Sequence, residues 1–155
     1  VEDRLLVTIQ TKSFGEMEVS EKQKISFPEG ILGFEFIKEY YLLDMDDSPF
    51  YCLQAAEERH IAFILIQPDF FMDDYKLMIS EGDLSALGIK DPDEILDFAI
   101  VTIPERTEDM TANLQGPVVI NRSTLEARQI ISLHESYTVR HPILAALQAR
   151  ESGGG

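Results

Sequence analysis

Apolar positions along the chain come in short runs, and polar punctuation breaks each run before a helical face accumulates. Runs rich in Ile, Val, Phe and Tyr, bounded by Gly, Pro, Asp and Asn, read as β-strands. They fall at Leu5–Ile9, Lys24–Phe27, Glu39–Leu43, Phe50–Ala55, Ile61–Gln67, Tyr75–Ile79, Phe98–Ile103, Pro117–Asn121 and Arg128–Leu133. Ile61–Ile66 is apolar at both alternating positions, which predicts a strand covered on two sides. Many short strands at modest spacing predict a mostly β fold, either an antiparallel sandwich or a small antiparallel β-barrel.

Helical signals are few. Ser80 ahead of Glu81–Leu84 reads as an N-cap, and Gly88 ends that helix early. Asp91-Pro92-Asp93-Glu94 sets a cap, a first-turn proline and helix-start acids in order. From Pro142 to about Arg150, the residues Ile143, Leu144 and Leu147 share one side, which suits a helix docking on the barrel and equally a cover for a partner's surface.

The 155 residues are one ordinary domain, taken here as 1–150, with 151–155 expected as a disordered tail. A hydrophobic share of 45% and a charged share of 26% exclude wholesale disorder. The lone Cys52 excludes an internal disulfide framework and a multi-cysteine zinc site. No basic, then apolar, leader opens the chain, so the expected location is cytoplasmic.

Charge is segregated. The net charge is −15, and residues 29–109 account for all of it, with 20 acids against 5 bases. Direct nucleic-acid binding needs clustered Lys and Arg, which are absent here, and an anionic membrane is disfavoured for the same reason. Two readings remain: a solvated, soluble surface, or a face for a basic partner.

Catalytic and metal patterns are weak. Asp44-Met45-Asp46-Asp47 opens like a calcium loop, but Pro49 and Ala55 stand where that loop needs Gly and Glu, so an acidic turn between strands is expected. His60, His134 and His141 lack metal-ligand spacing. Cys52 sits in an alternating strand and reads as packing. Gly30-Ile31-Leu32-Gly33 lies between Glu29 and Glu35, surroundings that suit a tight bend better than a phosphate. No cofactor is expected. A second reading stays open: a small β-barrel enzyme or ligand carrier using His60 or His134 with nearby carboxylates.

Several segments resemble one family when taken in order. Ile25-Ser-Phe27-Pro28-Glu-Gly30-Ile31-Leu-Gly33-Phe34 is similar to a signature of the bacterial flagellar assembly factor FliW. Tyr40–Leu43, Phe50–Gln54, Val101–Pro104, Thr111–Asn121, Gln129–Ile131 and Tyr137–Ile143 continue the likeness. The resemblance implies a small antiparallel β-barrel with a few short helices, and no catalysis. It implies two cytoplasmic partners, flagellin and the RNA-binding carbon storage regulator CsrA, which represses translation of flagellin mRNA. Flagellin would occupy the protein until its export, after which the protein would turn to CsrA and relieve repression.

An RNA-binding regulator carries basic surface, so the acidic middle of the chain is its expected dock. The expected contacts are Asp44, Asp46, Asp47, Glu57, Glu58, Asp69, Asp73 and Asp74, with ordinary solvated turns as the competing account. Phe70, Phe71 and Met72 are candidate apolar anchors, with core packing as their alternative. Ile103 and Pro104 are candidates for an exposed strand edge.

Overall fold

The computed structural model describes residues 6–153, with side chains through Arg150. The elements in chain order are β1 (Leu6–Thr11), β2 (Gly15–Ser20), β3 (Lys24–Ser26), β4 (Glu39–Asp44), β5 (Phe50–Ala55), β6 (Ala62–Ile66), α1 (Glu81–Ala86), β7 (Ile95–Thr102), β8 (Thr111–Asn121), β9 (Ala127–Gln129), β10 (His141–Pro142) and α2 (Leu144–Gly153). β1 and β2 form a separate hairpin. The others make one antiparallel sheet in the order β10-β8-β7-β6-β5-β4-β3, with β9 also on β8. The sheet nearly closes: Ser26, at the end of β3, bridges to Glu126 just before β9, and its amide donates to Leu125 O at 3.0 Å. The result is a barrel-like sheet, with a hairpin and short helices outside it.

Because successive strand residues point to opposite faces, each strand offers two sets of side chains. The inner set, including Tyr40, Leu53, Leu65, Phe98, Val118 and Ile120, fills the barrel. Phe27 packs edge-on against Tyr40 there, with ring centroids 5.1 Å apart. Burial pushes the Tyr40 hydroxyl up to about 12.

Three pads cover the outer set. The β1–β2 hairpin lays Ile9 and Val19 on Tyr41, Leu43 and Cys52. The chain after β6, together with α2, lays Phe71, Ile143 and Leu147 on Ile66, Ala99, Val101 and Ala112. The α1 region lays Leu87 and Ile89 on Val119 and Ile130. β6 is the central strand and is covered on both faces, as its unbroken apolar run implies.

Local caps follow the expected chemistry. Ser80 Oγ accepts from the Asp83 amide at 3.1 Å, and Gly88 adopts φ +67° just past the helix. Asp91 and Glu94 form a reciprocal capping box over a short 3-10 turn. α2 begins at Leu144 and continues through residues 151–153, part of the stretch expected as tail.

Several expected elements differ. Tyr75–Ile79 is extended but forms no strand, because β6 and β7 already pair with each other. It crosses the outer face as cover, with Met78 O accepting from the Leu133 amide at 2.8 Å. The Arg128–Leu133 strand shortens to β9, since β8 bulges there. Leu114–Pro117 of β8 stand against the one β7 residue Ala99, and Pro117 has no amide to donate. β2 and β10 were not anticipated; Glu16 and Glu18 break up the apolar content of β2. Leu5, the expected start of the first strand, lies outside the described residues.

The Phe27–Ile37 segment plugs one end of the barrel. Phe27, Ile31 and Ile37 point into the core, and Gly30 and Gly33 turn the chain with φ +73° and +87°. A Cβ on Gly30 would lie 2.5 Å from Glu35 Cα, whereas one on Gly33 meets open space. Gly30→Ala is therefore expected to cost about 2 kcal/mol or more, and Gly33→Ala about 1 kcal/mol, in urea unfolding. Equal costs at the two positions would show that the close approach at Gly30 relaxes freely.

Candidate partner-binding site

The turn joining β4 to β5 carries Asp44, Asp46 and Asp47, all exposed. Asp47 closes it at φ +60°, a left-handed conformation that Asp tolerates better than most side chains. Ser48 Oγ accepts from the Phe50 amide at 3.0 Å and fixes the return into β5. Strand register puts Phe50 opposite Ile66, so this turn shares one end of the sheet with the chain leaving β6.

That chain opens with a 3-10 turn, Pro68–Phe70, started by a proline whose missing amide costs nothing there. The turn separates neighbours: Phe71 is 8% exposed and belongs to the core, whereas Phe70 is 40% exposed. Phe71 is thus removed as a surface anchor, because the 3-10 turn directs it under α2. Met72 is partly buried against the same cluster. Asp69, Asp73 and Asp74 stay exposed.

α2 completes the arrangement. Leu147 anchors it to the core, and Arg150 Nε donates to Phe70 O at 2.7 Å while its guanidinium pairs with Asp73. A groove of about 380 Å³ results, lined by Asp47, Ser48, Pro49, Phe50, Phe70 and Leu147. Its floor is apolar, and the turns beside it carry Asp44, Asp46, Asp47, Asp69, Asp73 and Asp74. Of these six, only Asp73 forms an ion pair with a described residue. The arrangement suits a partner presenting an apolar knob within a basic surround.

Other candidates lie elsewhere. Glu57 and Glu58 sit in the β5–β6 turn, at the opposite end of the sheet, beside Phe36, Lys38 and Glu39. Ile103, 50% exposed, and Pro104 follow β7 in its connection to β8. They do not form an edge strand, because β7 is paired on both sides.

His60 is exposed in the β5–β6 turn. His134 stacks on Tyr137 with centroids 3.8 Å apart, and its Nδ1 accepts from the Ser136 amide at 3.3 Å. His141 stacks against Phe71. Among the described residues, no three His, Cys, Asp or Glu side chains gather at metal-binding distance. Cys52 is buried in the outer core, and burial pushes its thiol up.

The profile of the family FliW protein matches residues 8–143. A flagellar assembly factor FliW of Leptospira interrogans is 48% identical over 140 residues, covering 89% of this chain and 93% of that one. The chain belongs to the FliW family. The flagellar assembly factor FliW of Treponema denticola is 38% identical over 141 residues, covering 91% of this FliW chain and 96% of its own. A crystal structure of the flagellar assembly factor FliW superimposes with a TM-score of 0.82 at 32% identity, covering 89% of this chain and 97% of that one.

The FliW signature segments meet in space. Gln129 Oε1 accepts from the Leu32 amide at 3.0 Å, and Gln129 Nε2 donates to Gly116 O at 3.0 Å. One carboxamide thus ties the glycine bend to the β8 bulge, where Asn113 Oδ1 accepts from the amides of Gln115 and Gly116. Outside this tie Leu32, Ile131 and Val139 flank a hollow of about 280 Å³. These apolar residues, at 78%, 66% and 50% exposure, were not anticipated as surface. The adjacent Ile130 is buried, so the Ile130-Ile131 pair carried the only local hint of an outward side chain.

Two outcomes are expected. Cys52 should react with iodoacetamide only as fast as the fold opens, and rapid alkylation of the native protein would contradict its burial. Arg150→Ala should lower stability by no more than about 1 kcal/mol in urea melts, because the Arg150–Asp73 pair is largely solvated.

Proposed function

We propose that this FliW protein binds flagellin and CsrA in the cytoplasm, and that the groove at Phe70 is where the cationic regulator docks. The observation that carries the reading is the apolar floor of Pro49, Phe50, Phe70 and Leu147 set among acidic turns. A protein that binds RNA needs a basic surface. The acids of this FliW chain attract such a surface and repel the mRNA itself, so relief of repression runs through protein contact. Membership of a family of flagellar assembly factors supplies the biological setting. Flagellin and CsrA then compete through one FliW molecule, and each lowers the apparent affinity of the other by the same factor.

Purified CsrA should associate more slowly as salt rises. The double reversal Asp46→Lys/Asp47→Lys should slow association about tenfold at low salt, as expected where clustered charge steers encounter. Glu57→Lys/Glu58→Lys, at the far end of the sheet, should leave the rate nearly unchanged. A salt-independent rate, or equal effects from the two pairs, would remove the groove from the reading. In pull-downs from a flagellated bacterium, CsrA should be retained and then released by excess flagellin; retention despite saturating flagellin would refute the competition.

A further inference from the structure

Beyond Tyr75 the cover chain crosses the outer face of the sheet, and a cavity of about 570 Å³ opens beneath it. Leu77, Ile79, Ile89, Pro92 and Ile95 wall it with apolar surface, and Asp97 of β7 also lines it. Asp97 Oδ2 is buried and has no hydrogen-bond partner among the described residues. Tyr75 Oη is likewise buried and is the polar neighbour of the Asp97 carboxyl, and its charged form is disfavoured by burial and by Asp97. Burial, reinforced by the neighbouring Asp69, pushes the Asp97 carboxyl up.

A carboxyl largely removed from water beside a tyrosine hydroxyl, with no described cation paired to it, lowers the stability of the free protein. The cations nearby do not relieve it. Arg122 acts on Asp97 in the opposite sense but is exposed and forms no ion pair with it. Lys90, at the cavity wall, is exposed and stands beside Asp91. Asp69, beside the groove at Phe70, is close enough to Asp97 to act on its charge.

A cavity with apolar walls and a carboxyl that no described cation pairs matches a side chain with a long aliphatic stem and a cationic head. We propose that this cavity receives an arginine or lysine side chain of the basic partner, with its stem against Ile79 and Ile95 and its head on Asp97. The proposal rests on the reading that CsrA binds this FliW chain. It divides the work: exposed acids around the groove speed encounter, and Asp97 slows escape.

Dissociation of purified CsrA from wild type and from Asp97→Asn would be measured at low and high salt, with thermal melts of the free proteins. Methyl spectra of wild type would follow Ile79 and Ile95 during titration with CsrA. Asp97→Asn should dissociate about tenfold faster at both salt levels, with association unchanged, as for a buried rather than a rim charge. The free variant should melt no lower than wild type, because it removes a charge that burial disfavours. The Ile79 and Ile95 methyls should shift on saturation. Unchanged dissociation, or methyls that stay still when CsrA is bound, would overturn the proposal while leaving the functional reading intact. Wild type that fails to bind CsrA would overturn both.

Discussion

A sheet rolled into a barrel has two faces to keep from water, and burying both organises this structure. The inner face closes around Tyr40, Leu53, Leu65 and Phe98. The outer face cannot remain bare, because β6 and β7 point Ile64, Ile66, Ala99 and Val101 away from that interior. Apolar area left in water would forfeit about 25 cal/mol per Å² of possible burial. The hairpin, the segment after β6, the α1 region and α2 all serve as outer cover. Cover built from irregular chain leaves seams, and the groove at Phe70 and the cavity at Asp97 are both seams of this kind.

The same constraint sorts the charge. Strands covered on both faces have little room for acids, so the acids collect in turns and cover segments. Exposed carboxylates there repel one another through water and salt, which keeps the cost of the −15 charge modest. Arg150 ties α2 across Phe70 and pairs with Asp73, while the neighbouring acids form no ion pair with a described residue. Asp97 is the departure from this sorting, since it is an acid placed within a covered strand.

The family signature has a structural account. Phe27, Ile31 and Ile37 plug the barrel, and the glycines let the chain double back where Glu35 passes close to Gly30. Gln129 then joins that bend to the β8 bulge. These residues are far apart in sequence and meet in space, so in this chain the signature is an ordered set of separated short motifs.

Local chemistry was legible along the chain because its causes are local. Capping at Ser80 and Asp91, the left-handed glycines, the alternation in β4 and β5 and the segregation of acids each depend on residues a few positions apart. Tertiary structure decided the rest. Tyr75–Ile79 has strand-like alternation, but β6 and β7 on either side of it in the chain pair with each other. Phe70 and Phe71 look equivalent as neighbours, and only the packing of α2 buries the second. Glu57 and Asp47 look alike as turn acids, yet strand register sends them to opposite ends of the sheet. A chain by itself specifies what each segment prefers; which side chains meet, and which stay in water, is set by contacts between segments that only the closed sheet brings together.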